Sequence, residues 1–214
     1  MAIKVYGVAM SSNVVRVIAA LNEKGLDYEL VPVNLAAGEH KKPEFLALNP
    51  FGQIPAFEDG DVKIFESRAI SRYVATAYKS TGDDLLPAKT PAEVAALECW
   101  LEVEPQHISE PISKVLFELQ IKPLLSMTTD PATVEAESEK LGKVLDVYEA
   151  RLSESKYLAG DAFTLADLNL MPYVYNLSLS SKAELMTSRP HFKKWWDEVS
   201  ARPAWQKTAA SIKL

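Results

Sequence analysis

Two adjacent hydroxyls, Ser11 and Ser12, are the first residues that could do chemistry, in the run Met10-Ser11-Ser12-Asn13-Val14-Val15-Arg16. They fall where a strand-like stretch, Ile3-Lys4-Val5-Tyr6, gives way to an apolar helical period at Val14, Val17, Ile18, Ala20 and Leu21. A helix start leaves backbone N–H groups unpaired and carries partial positive charge, so a hydroxyl there can help to hold an anion. The same serines could simply cap the helix, which is a common use of the residue. Further on, Gln53-Ile54-Pro55-Ala56-Phe57 sets a proline inside an apolar run that otherwise reads as a short buried strand. A cis bond at that proline would turn the backbone of Ile54 outward, where an extended peptide could pair with it; X–Pro statistics alone favour trans. Glu66 and Ser67 open another helical period, and His40, Lys41 and Lys42 read on their own as a solvated basic loop.

These residues must be positioned by short elements. Tyr28-Glu29-Leu30-Val31-Pro32-Val33 reads as a second strand whose proline suits a sheet edge. Ile54 to Phe57 and Val62 to Phe65 form a hairpin about Glu58-Asp59-Gly60. Glu66 to Lys79 is helical, with Ala69, Ile70, Tyr73, Val74 and Ala77 on one side. The order β-α-β-(α)-β-β-α implies a parallel pair extended by an antiparallel hairpin. Beyond about residue 80 the strand signals vanish. Thr90-Pro91-Ala92-Glu93, Asp130-Pro131 and Thr164-Leu165-Ala166-Asp167 each carry helix-start chemistry, and a last helix is expected over roughly Pro190 to Ala201. The expected division is therefore 1–80, a linker at 81–89, and an all-helical part at 90–214.

The whole chain is compatible with that plan. Of its 214 residues 48% are apolar and 24% charged, enough to bury a sizeable core. A net charge of −6 argues against a nucleic-acid partner or an anionic membrane surface. The single cysteine, Cys99, cannot form an internal disulfide, which fits a reducing compartment. No signal-peptide core or membrane-spanning run is legible, so a cytosolic location is expected.

A small βαβ–ββα unit with a proline before its third strand resembles the thioredoxin fold. Joined to an all-helical second half, it resembles the cytosolic glutathione transferases. The stretches GEHKKPEFLALNPFGQIPAFEDGD, FESRAISRY and YLAGDAFTLADL, in that order, resemble the plant phi class in particular. The resemblance implies an α/β thioredoxin-like domain with a mixed four-stranded sheet, followed by an all-α domain. It implies an enzyme that joins the thiol of glutathione to hydrophobic electrophiles, with some reduction of organic hydroperoxides. The alternative is a non-catalytic carrier of apolar molecules on the same scaffold.

By resemblance, Ser11 is the catalytic residue and donates a hydrogen bond to the glutathione sulfur, with Ser12 the competitor. Glutathione, the co-substrate, would be bound by Ser11, His40, Lys41, Gln53, Ile54, Pro55, Glu66 and Ser67. The two basic residues suit the glycyl carboxylate. Glu66 suits the γ-glutamyl ammonium, and the Ser67 hydroxyl and N–H suit a carboxylate. The electrophile site would draw on Met10, Ser12 and Leu35 from the first part. From the second it would take Ile112, Leu116, Phe117, Ile121 and Tyr175, some of which would otherwise be plain core. Phe51 implies a contact in a two-fold homodimer, and Arg16 and Arg68 take supporting or dimer roles. Pro105 and Pro111 should shape the helix between them. Asp167 is expected to be structural, Cys99 a packed side chain, and no metal is implied.

Overall fold

The computed structural model describes residues 2–212. The chain divides into two compact units. One is the sequence up to Leu86 together with the segment from Ala201 onward; the other is Pro87–Ser200.

The first unit is built on β1 (Ile3–Gly7), α1 (Ser12–Glu23), β2 (Tyr28–Pro32), α2 (Pro43–Leu46), β3 (Ala56–Asp59), β4 (Val62–Phe65) and α3 (Ser67–Ala77). The sheet order is β2-β1-β3-β4. β1 runs parallel to β2, with Val5 opposite Leu30, and antiparallel to β3, where Val5 meets Phe57. β2 is an edge strand, which is why it tolerates Pro32. The third strand starts at Ala56, two residues later than expected, directly after the cis Ile54–Pro55 bond; Pro55 has no N–H to give the sheet.

Every apolar residue expected on the inner side of α1 is buried, and so are Val15 and Ala19 on its other side. The reason lies at the far end of the sequence. A helix that sequence reading passes over, α11 (Pro203–Ser211), lies against α1, which therefore packs against both α3 and α11. A division that leaves 201–214 with the helical part thus differs from the observed units at this helix. Pro203 at its first turn is the signal for it.

The second unit is all helical. α4 (Pro91–Val103) begins with the expected capping box, in which Thr90 and Glu93 satisfy each other's backbone amides. A π turn at Glu104–Ile108 leads into α5 (Ser109–Leu116), and a second at Phe117–Ile121 leads into the short α6 (Lys122–Leu124). Pro105 lies in the first of these turns; a proline cannot donate an intrahelical bond, so the local winding widens around it. α7 (Pro131–Glu154), α8 (Leu165–Ser178), α9 (Glu184–Thr187) and α10 (Pro190–Ser200) complete the unit. α8 is buried on all sides from Leu165 to Val174, its polar members Asp167 and Asn169 included. Among the described residues no helix is long and apolar enough to cross a membrane.

Candidate active site

Ser11 is the N-cap of α1, with φ −74° and ψ 122°. Its carbonyl accepts from the Val15 amide at 2.9 Å, so it starts the helix through its backbone. Its side chain makes no capping hydrogen bond. An N-cap serine normally spends its hydroxyl on the free amides of the first turn; here the hydroxyl remains available at a partly exposed position. Ser12 is the first helical residue. Gly7, at the end of β1, sets the closeness of this corner. A Cβ there would lie 2.5 Å from Cγ2 of Val14 and 3.5 Å from Cβ of Ile54, so no larger residue lets the strand end, the first turn of α1 and Ile54 meet.

Ile54 precedes the β3 ladder, which pairs with β1 only from Ala56 on, so its backbone lies outside the sheet's hydrogen bonding. The turn that delivers it is organised by Asn49, a buried residue that sequence reading missed. Its Nδ2 donates to the Gln53 carbonyl at 2.6 Å, its Oδ1 accepts from the Phe51 amide at 3.0 Å, and its carbonyl accepts from the Gly52 amide at 2.9 Å. An Asn-Pro pair in a loop was the legible signal. Gly52 has φ +58°, and a Cβ on it would approach the His40 carbonyl to 2.7 Å. Lys41 Nζ donates to the Phe51 carbonyl at 3.1 Å. His40 and Lys41 thus lie against the Phe51–Gly52 turn, and Nδ1 of His40 is buried without a hydrogen-bond partner.

On the neighbouring helix start, Glu66 is exposed and adopts φ 68° and ψ 107°, a conformation rare for a residue with a side chain. It turns the chain sharply from β4 into α3. Ser67 follows and is buried; its Oγ accepts from Nη1 of Arg16 at 2.7 Å, and its carbonyl accepts from the Ser71 hydroxyl at 2.9 Å. Arg16 has no exposed surface, and its Nη1 also donates to Oδ1 of Asn13 at 2.7 Å. The two helix starts, one carrying Ser11 and the other Ser67, are thus tied through one guanidinium.

The residues expected to receive an apolar electrophile divide by exposure. Ile112 and Leu116 are buried, as core residues are, and offer little surface. Phe117 is exposed, while Ile121 and Tyr175 are half-buried. In the first unit Leu35 is exposed and Met10 half-buried. Phe51 is 66% exposed and packs edge-to-face on Phe65 with ring centroids 5.8 Å apart. Cys99 is exposed rather than packed, on a solvent-facing side of α4. Asp167 is fully buried and caps α8. Among the described residues no group of His, Cys, Asp and Glu side chains is arranged to hold a metal.

Residues 1–76 match the family described as "Glutathione S-transferase, N-terminal domain", and residues 108–203 match "Glutathione S-transferase, C-terminal domain". Glutathione S-transferase 3 of Zea mays is 55% identical over 214 residues, covering 99% of this chain and 95% of its own. The crystal structure of glutathione transferase F7 from Populus trichocarpa superposes with a TM-score of 0.95 at 48% identity, over 99% of this chain and 100% of that one. Glutathione S-transferase I from maize, solved in complex with an atrazine glutathione conjugate, superposes with a TM-score of 0.92 at 45% identity, over 99% and 98%.

Proposed function

This chain belongs to the glutathione S-transferase family, in its plant phi class, and from that membership we propose that Ser11 is the group that activates glutathione. The protein is an enzyme that conjugates glutathione. The observation that carries the assignment of Ser11 is its uncommitted hydroxyl: it starts the helix through its backbone alone and keeps its side chain for something else.

The energetics close with that hydroxyl. A thiol with a pKa of about 8.5 is only a few per cent ionised at pH 7. Lowering the pKa by roughly 2 units takes about 2.7 kcal/mol. One hydrogen bond to a charged acceptor contributes about 1.5–3 kcal/mol, and the start of α1 adds about 0.3–1 kcal/mol. The Ser11 hydroxyl donates to the sulfur, and the thiolate attacks the electrophilic carbon. The new S–C bond replaces the bond to the leaving group, and the thiol proton has already passed to solvent. Ile54 pairs its backbone with the cysteinyl part of the tripeptide. His40, Lys41 and Gln53 hold the glycyl end, and Glu66 and Ser67 hold the γ-glutamyl end.

Apolar side chains with free surface, such as Phe117 and Ile121, are better suited to the electrophile than Ile112 and Leu116. An apolar wall has little directional chemistry and selects weakly among hydrophobic electrophiles. The atrazine conjugate held by the maize relative makes an activated aryl halide the first substrate to try. Reduction of organic hydroperoxides, with two glutathiones oxidised to their disulfide and the peroxide reduced to alcohol and water, uses the same thiolate. The exposed Phe51 supports a two-fold homodimer, in which this ring enters the partner subunit. A cytosolic setting completes the proposal. The deciding experiment is an ultraviolet titration of the thiolate of bound glutathione. A midpoint roughly 2 units below that of free glutathione, abolished in Ser11→Ala, supports the assignment; a midpoint equal to that of free glutathione removes it.

A further inference from the structure

We propose that Arg16 is a positioning residue for the γ-glutamyl carboxylate of glutathione, acting by fixing Ser67 as a hydrogen-bond donor toward that group. The proposal rests on the reading of Glu66 and Ser67 as the γ-glutamyl end of the site.

Arg16 lies one turn into α1 yet is fully buried. Side chains of a helix lean toward its N-terminus, and this one reaches back to Oδ1 of Asn13 and across to Oγ of Ser67, both at 2.7 Å. A serine hydroxyl has one proton to give and two lone pairs. A guanidinium has only protons to give, so the Ser67 oxygen must act as acceptor toward Arg16 and its own proton must be directed elsewhere. The Ser67 carbonyl is engaged by Ser71. What remains at this helix start is donor capacity: the Ser67 O–H and the first amides of α3, which has no side-chain cap. A carboxylate arriving at Ser67 meets these donors, with the guanidinium hydrogen-bonded directly behind the hydroxyl.

The chemistry can be separated from mere structural support because the carboxylate can be removed from the ligand. Replacing the γ-glutamyl residue by 4-aminobutanoyl leaves the amine, the cysteine and the glycine in place and deletes only that carboxylate. Dissociation constants of both tripeptides are measured for wild type, Arg16→Met, Ser67→Ala and the double variant, with kcat at saturating glutathione. Arg16→Met is expected to weaken glutathione about tenfold, the scale of a charge-assisted contact. It should bind the truncated tripeptide within about twofold of wild type and keep kcat within about threefold. The double variant is expected to bind glutathione no more weakly than the weaker single variant. Arg16→Lys should recover part of the loss. Equal weakening of both tripeptides in Arg16→Met, or losses that multiply in the double variant, would overturn the proposal. Should Arg16→Met not fold, Asn13→Ala loosens the guanidinium without removing it. It should cost glutathione about threefold and spare the truncated ligand, whereas equal effects on the two overturn the idea. Ser67→Ala reports separately on the underlying site. If that variant still discriminates the two tripeptides as wild type does, the γ-glutamyl end has been misplaced, whatever Arg16 does.

Discussion

The indole Nε1–H of Trp195 donates to Oδ1 of Asp167 at 2.9 Å, in a part of the helical unit where both side chains are buried. The same carboxylate accepts from the amides of Leu158 and Thr164, each at 3.0 Å, and from the Thr164 hydroxyl. Asp167 therefore joins the start of α8, the loop before it and α10. Replacing it by alanine leaves buried donors on three segments without an acceptor. The expected cost is about 4 kcal/mol of unfolding free energy, with the glutathione affinity of the folded fraction unchanged. Denaturant unfolding and calorimetric binding check the two halves of the claim.

Asp167 also fixes a pH dependence. Burial pushes its carboxyl up to about 6 against the pull of its donors, whereas in the unfolded chain it ionises near 4. Between those values the folded state binds more protons than the unfolded one. The contribution of Asp167 is therefore full below about pH 4 and is lost as pH rises toward 6, by up to about 3 kcal/mol. The unfolding free energy of wild type minus that of Asp167→Asn should fall across this window and stay level above it. A difference that is flat from pH 4 to 7 contradicts the account.

Ser11→Ala is expected to lower kcat with an aryl halide by about 10- to 100-fold, the worth of one hydrogen bond to a charged sulfur. The Kd for glutathione should change less than about threefold, because the proposed peptide contacts lie at other residues. The acidic limb of kcat/KM for the electrophile, taken at saturating glutathione, should move upward by one to two pH units, to where the thiol ionises without help. Ser12→Ala, lying inside the first turn, should do none of this. If Ser12→Ala shows the loss and Ser11→Ala does not, the assignment is one residue off.

Gly52→Ala addresses the proposed glycyl end of the site. The position has φ +58° and no room for a Cβ beside the His40 backbone. Two effects follow: roughly 1–2 kcal/mol for the left-handed backbone, and a displacement of the segment that carries His40 and Lys41. The KM for glutathione should rise by about an order of magnitude while kcat at saturation changes little. An unchanged KM would mean that His40 and Lys41 do not contribute to binding.

How much of this was legible follows from range along the sequence. The capping boxes at Thr90 and Thr164 and the stop at Gly25 are local chemistry, set by residues within a turn of each other, and they stand where the spacing puts them. Exposure of the α3 face is less local. Ala69 and Ala77 are exposed, whereas Ser67, Ser71 and Ala75 are buried, because close packing on α1 calls for small side chains more than for apolar ones. The roles of Arg16 and Asn49 do not show in the sequence. A buried cation or amide is defined by partners far away in sequence, such as Ser67, and no spacing rule reaches them. The same holds for Ile112, whose helical period marks an apolar face without saying whether that face is core or cleft.

The C-terminal helix offers the last test. Asn22 Nδ2 donates to Oγ1 of Thr208 at 2.9 Å, and Trp205 is 2% exposed. At the start of this segment Arg202 holds both oxygens of Glu23, at 2.8 and 2.7 Å, and also pairs with Asp83. Lys24 adds a bond to the Asp83 carbonyl, so one small network pins the end of α1, the stretch after α3 and the start of α11 together. Ending the chain at Ser200 uncovers the second apolar side of α1, the helix that carries Ser11. Trp205→Ala alone should cost about 3–5 kcal/mol. Arg202→Met should cost less, about 1–3 kcal/mol, since the network is only partly buried and water can replace some of it. Truncation should exceed both and abolish folding of the first unit. A chain ending at Ser200 that still binds glutathione with wild-type affinity would show that α1 does not need its last neighbour.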